Sequence, residues 1–163
     1  MELTQNAALW FFLLTLPICL YVAFTDLREM RIKNHAVIVL GLIFILIAPL
    51  LMSFTQYLWQ LSHLVVMLII GMILNARGAM GAGDAKFIAA AAPYVLLGDV
   101  RLIMGLFAAA LLAAFTTHRI IKFTPLRQIA PHWESWTRKK FPMGFTLGGT
   151  LAAYLGLGVF FGA

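Results

Sequence analysis

Long apolar runs recur along this chain, and that recurrence restricts its fold more than any other feature. A hydrocarbon core about 30 Å thick takes about 20 residues of helix to cross. Runs of that kind occupy 7–24, 36–55, 57–75 and 142–161. The stretch 85–117 is apolar too, and must supply two crossings with Gly98-Asp99-Val100-Arg101 as the turn between them. Two helices of about 16 residues would each reach only about 24 Å. The bilayer is therefore expected to thin there, or neighbouring helices to shield the hairpin. Backbone polar groups in lipid need internal partners, which helices supply. The expected fold is all-α: a polytopic membrane protein of six transmembrane helices, forming one domain over residues 1–163.

Composition supports the same solvent. Hydrophobic residues make up 63% of the chain and charged residues 11%, against about 25% charged in an ordinary globular domain. Too little polar surface remains to cover a water-soluble body. The net charge of +6 would suit nucleic acid if the cations formed a groove, but eleven of the twelve Lys and Arg residues fall within 28–33, 77–86 and 119–140, between apolar runs. That is a topogenic pattern, and no nucleic-acid partner is expected. By the positive-inside rule both termini lie outside, and three basic connections lie in the cytoplasm. The first run is read as a retained helix rather than a signal peptide, because Glu2 and no Lys or Arg precedes it and no A-x-A site follows.

Cys19 is the lone cysteine, and His35, His63, His118 and His132 share no ligand spacing, so neither a metal nor a cofactor is expected. The connection from His118 to Phe141 mixes Arg119, Lys122, Arg127, Arg138, Lys139 and Lys140 with Trp133 and Trp136. It is expected to lie on the inner membrane surface, with aromatic rings at the headgroups and cations near anionic lipid. In the last run Gly144, Gly148, Ala152 and Gly156 recur every four residues. Such a small-residue stripe lets another helix approach closely, and Ala89 to Ala92 offers one partner.

Acidic residues are few: Glu2, Asp26, Glu29, Asp84, Asp99 and Glu134. The topology puts Asp26 at the inner end of the first run and Asp84 at the inner start of the fourth, on one membrane edge. Ionisable groups near membrane depth are functional candidates, although singly Asp84 would also serve as a helix cap and Asp26 as a rim charge paired with Arg28 or Arg31. The surroundings of Asp84 favour chemistry. Gly78-Ala79-Met80-Gly81-Ala82-Gly83 strips side chains from the backbone just before the carboxylate, leaving room for another main chain. Two aspartates held together can hydrolyse a peptide without metal, one taking a proton from water while the other, protonated, polarises the carbonyl.

These residues carry a family resemblance. Asp26-Leu27-Arg28 followed by Arg31-Ile32-Lys33-Asn34, then Gly81-Ala82-Gly83-Asp84 with Lys86, then Phe141-Pro142-Met143-Gly144 resemble the blocks of the prepilin peptidases, GxGD membrane aspartic proteases that remove leaders from type IV prepilins and pseudopilins. The resemblance implies that Asp26 and Asp84 are catalytic, that Gly81 and Gly83 shape the active-site loop, and that the enzyme works in the cytoplasmic membrane. Lys86 is a candidate for tuning Asp84 or meeting an acidic substrate residue; snorkelling to headgroups is the bland alternative. Lys33 stands where the family more often has proline, which loosens the expected turn. The inserted methylating domain with paired cysteines is lacking, so the chain resembles the short peptidase-only branch of tight-adherence pili and preflagellins. Two other classes compete: a small proton or cation transporter using the same carboxylates, and a structural subunit of a secretion complex in which both aspartates only cap helices.

Overall fold

The computed structural model describes residues 1–138 and 141–163; Lys139 and Lys140, assigned above to the inner surface, lie outside the described residues, as do the side chains of Leu126 and Ile129. Short polar residues start two of the long helices. Thr4 accepts from the Ala7 amide to open α1 (Gln5–Glu29), and Ser53 accepts from the Gln56 amide to open α3 (Phe54–Ala76), each satisfying a first-turn donor. The Ser53 cap ends α2 (Asn34–Leu51) earlier than the apolar run extending to 55 suggested. The chain then forms α4 (Ala82–Ala91), α5 (Val100–Phe123) and α6 (Met143–Phe161). No strand occurs among the described residues.

Five helices, all but α4, are long and apolar enough to cross a membrane, and large apolar side chains such as Leu46, Leu50, Phe54, Leu112 and Phe160 cover their outer faces. A surface of that kind is stable in lipid and not in water. The protein is a multi-pass helical membrane protein.

The expected fourth helix is instead a composite. After the ten residues of α4, Pro93 interrupts the ladder, and two 3-10 turns, Ala92–Tyr94 and Leu97–Asp99, flank the extended residues Val95 and Leu96. Proline has no N–H for the helical bond. The change of geometry resolves the shortage of residues. From Ala82 to Asp99 a continuous α-helix would reach about 27 Å, whereas 3-10 turns and extended residues lengthen the path to about 34 Å. It runs from the end of the bundle where α1 stops to the end where α1 starts, since Asp84 shares a cavity with Asp26 while Asp99 bonds to the Glu2 amide. Its irregular backbone is held from inside. Gln60 of α3, 1% exposed, donates to the Val95 carbonyl at 3.4 Å, and the Tyr94 hydroxyl donates to the Leu40 carbonyl at 2.7 Å. Tyr94 also meets Phe11 and Phe44 edge-on, with centroids 5.0 and 5.2 Å away.

The small-residue stripe of α6 packs along α1, not mainly along α4 as the alanine run suggested. A Cβ at Gly148 would stand 2.7 Å from the Cys19 carbonyl, and one at Gly156 would touch Phe12. The 25 residues of α1 offer a face as long as the stripe; the ten of α4 do not. α4 makes its own close approach to α3, where a Cβ on Gly71 would stand 2.9 Å from that of Ala85. α2 packs on α1 and α4, and α5 on α6.

A polar lock closes the end where α1 starts. Asp99 is 5% exposed and accepts from the Glu2 amide at 3.1 Å and from the Tyr154 hydroxyl at 2.9 Å, while Glu2 accepts from the Gly98 amide. Removing one donor leaves a buried carboxylate short of a partner. Tyr154→Phe should therefore destabilise the protein in detergent by about 1–3 kcal/mol, read as a lower thermal unfolding midpoint. An unchanged midpoint would show that the lock contributes nothing.

Candidate active site

Asp26 sits in the last turn of α1 and is 5% exposed, not on a solvated rim. Its Oδ2 accepts from the Gly144 amide at 2.6 Å. The reason lies in α6, whose capping position is Pro142, with no side chain able to accept from the first-turn amides. Unpaired amides at a helix start need an acceptor, and a carboxylate there also meets the favourable end of the helix dipole. Asp26, 118 positions earlier in the chain, supplies it. Gly144 makes the approach possible, because a Cβ there would stand 3.0 Å from Cβ, Cγ and Oδ2 of Asp26. In sequence Gly144 belongs to a motif block and a packing stripe; the fold makes it a partner of Asp26.

Asp84 lies in the first turn of α4, whose capping residue is Gly81. Its carboxylate turns back to the Gly81 amide, half of the reciprocal arrangement in a capping box. The cap position of α4 is therefore Gly81 and not Asp84, which stands within the first turn. Burial pushes the Asp84 carboxyl above the usual carboxylate range, and the Gly81 amide opposes the shift. A Cβ at Gly81 would stand 2.7 Å from Asp84 Oδ2, and one at Gly83 would stand 3.2 Å from Ile32 Cβ. The two glycines therefore keep space for different neighbours, the carboxylate and the α1–α2 connection. The preceding loop is tied by Asn75, which donates to the Met80 carbonyl at 2.9 Å, and it turns through Gly78 at φ +73°.

Asp26 and Asp84 line one cavity of about 570 Å³, together with Arg31, Lys33, Lys86 and Arg138. Lys86 does not turn to Asp84: its Nζ donates to Asn34 Oδ1 at 3.1 Å, at the start of α2. Lys33 pairs with Glu29, and Arg138 with Glu134. The Glu29–Lys33 pair and the left-handed Met30, whose amide bonds to the Asp26 carbonyl, close the α1–α2 connection where the family more often has proline.

Within the described part of the long connection the two tryptophans pack against the bundle, while Arg127, Gln128, His132 and Arg138 stay exposed. Trp133 and Trp136 stack with centroids 5.8 Å apart, Trp133 meets Phe24 of α1 edge-on, and Trp136 stacks on His118 of α5 at 4.9 Å. Trp136 is 9% exposed, and its indole N–H donates to the Ala130 carbonyl. The stack ends on Phe141, which meets His118 and lines the cavity.

A second cavity, about 1080 Å³ and chiefly apolar, adjoins the first; Gly81, Asp84, Phe141 and Met143 line both. The site thus joins two carboxylates from distant helices, bare backbone beside one of them, and an apolar space leading away. No curated protein and no solved structure matches the chain. The family model described as the type IV leader peptidase family matches residues 13–118, which include both aspartates and the glycine loop and stop short of α6. With more than half of its length matched and those blocks assembled around one cavity, the chain belongs to the type IV leader peptidase family.

Proposed function

We propose that the protein is an aspartic endopeptidase of the cytoplasmic membrane that removes the basic leader of type IV prepilins or prepilin-like proteins at the inner membrane edge. The observation that carries this reading is the shared cavity of Asp26 and Asp84, at one end of a bundle of apolar helices. One carboxylate takes a proton from water as the water oxygen bonds to the scissile carbonyl carbon. The other, protonated, donates to the carbonyl oxygen. Collapse of the tetrahedral adduct breaks the C–N bond, and the leaving amine takes a proton from the pair. Two carboxylates in one cavity resist double ionisation and share a proton, so they titrate as a unit.

The chain's basic connections and the positive-inside rule support a cytoplasmic position for this end, and residues 85–99 would then form a sixth, partly non-helical crossing. The test is coexpression with a prepilin whose leader is basic, followed by mass measurement of the mature N-terminus. Leader removal that depends on this chain is expected; an intact prepilin together with Asp84-dependent proton flux in liposomes would return the carboxylates to a transport role.

The pH dependence has a definite sign. Because burial raises Asp84 and the two carboxylates titrate as a unit, the shared proton is retained to higher pH than on an exposed aspartate, and the cleavage rate should fall on the alkaline side as that proton is lost. Rate profiles in detergent from pH 4 to 9 test this; a rate still rising through the alkaline range would contradict a required shared proton.

A further inference from the structure

We propose that the apolar cavity beside Asp84 seats the apolar helix of the substrate, admitted sideways from the membrane between α3 and α5. The inference rests on the leader-peptidase reading and deepens it by naming where the uncut part of the substrate lies.

The opening follows from how the helices pair. α3 packs on α4, α5 packs on α6, and no extensive contact joins α5 to α3 or α4. Between the two pairs lies the cavity of about 1080 Å³, walled by residues such as Val66 and Met67 of α3, Ile88 of α4, Met104 and Phe107 of α5 and Leu151 of α6. Its lining extends from Met80 to Val100, from the Asp84 end of the bundle towards the Asp99 end. The composite form of the segment after α4 contributes to this shape, since the wall there is Ala91, Ala92 and Val95, which leave room that larger side chains would fill.

The chemistry of the walls selects the occupant. Ordered water needs two to four polar partners, and the polar side chains here are few: His63, Asn75, Thr150 and Asp84. Asn75 and Thr150 already donate to the Met80 and Thr146 carbonyls. An apolar occupant is favoured, either a lipid chain or a helix. Continuity decides between them. The cavity adjoins, at Asp84, the one holding Asp26, so an occupant reaching that end lies beside the aspartate pair. The lining there sets Arg31, Lys33, Lys86 and Arg138 beside the two carboxylates, so charge does not select against a headgroup; a lipid chain brings no bond for the pair to act on, whereas a peptide helix would deliver its first unwound residues to the site of cleavage. The volume corresponds to about two and a half turns of a helix ~10 Å across, enough to anchor the segment next to the scissile bond while the rest stays in lipid.

The test is photocrosslinking in membranes, with p-benzoylphenylalanine in place of Met104 or Val66 in an Asp26→Asn background that retains uncut substrate. Leu46 and Phe160, both exposed on outer faces, serve as comparison positions. Adducts with the apolar segment of the prepilin are expected at 66 and 104 and not above background at 46 and 160; equal labelling at all four, or labelling only at the outer positions, overturns the proposal. In the otherwise unaltered enzyme, Met104→Trp should raise KM for full prepilin about tenfold with kcat within about twofold, the signature of lost ground-state binding. Lipid adducts at 104 with an unchanged KM would assign the cavity to lipid instead. Cleavage of the same prepilin by the unaltered protein separates the two levels: without it the leader-peptidase reading fails, and with it only the groove is in question.

Discussion

Asp26→Asn and Asp84→Asn should each reduce leader cleavage by about 10²–10⁴-fold, the range associated with losing a positioned proton-transfer group, while the protein still inserts and folds. The substitution separates chemistry from architecture at both positions. An asparagine at 26 keeps an oxygen to accept from the Gly144 amide, which Asp26 now holds at 2.6 Å, and one at 84 can still turn to the Gly81 amide at the start of α4. Asn caps helices about as well as Asp. Neither variant can exchange a proton with water. Cleavage measured by mass, alongside thermal unfolding in detergent, gives both readouts. A variant that is well folded and cleaves at the unaltered rate would remove that aspartate from the mechanism and revive the structural-subunit reading, in which both serve only as caps.

Gly144→Ala should lower the cleavage rate by about 10²-fold, the scale of loss when a reacting group is displaced by about 1 Å, with little loss of stability. An alanine Cβ would stand 3.0 Å from three atoms of Asp26, so the carboxylate or the start of α6 must shift. Helix propensity acts the other way, since alanine favours a helix over glycine by about 0.5–1 kcal/mol. Activity and stability should therefore part company. Gly149→Ala is the control in the same helix: nothing lies within 4 Å of its added Cβ, so cleavage should be unchanged. If Gly144→Ala cleaves as fast as Gly149→Ala, the α6 amide does not hold Asp26 in a required position.

These two predictions differ in how far they could be read without coordinates. Asp26 and Asp84 stand out in a chain with six acidic residues, because carboxylates at the ends of apolar runs are conspicuous and flanking cations assign them to an edge. Gly81 and Gly83 were legible as bare backbone, but their separate neighbours, Asp84 and Ile32, were not. Gly144 is visible in the sequence as one of several evenly spaced small residues and as the end of the Phe141-Pro142-Met143-Gly144 block, neither of which names Asp26 as its neighbour. The stripe predicts a close partner without saying which, since many helices can approach glycine; in the fold that partner is α1, whose Cys19 carbonyl and Phe12 ring lie against Gly148 and Gly156. The short α4 was misread for a related reason. Residue counting assumes one rise per residue, and Pro93, Tyr94 and the extended Val95 and Leu96 alter that rise only because Gln60 and Leu40 satisfy the irregular segment from neighbouring helices. Trp133 and Trp136 read as interfacial from composition, yet the fold offered Phe24 and His118 as stacking partners.

Sequence by itself determined the solvent, the helical class and the candidate acids, because each depends on local quantities: the length of apolar runs, the need to satisfy backbone groups in lipid, and the scarcity of charge. Tertiary structure alone decided that Asp26 caps α6 through Gly144, that Lys86 turns to Asn34, and that residues of α3, α4, α5 and α6 line one apolar cavity beside Asp84. Those are relations between residues as much as 118 positions apart, and they depend on helix pairing that no single segment encodes.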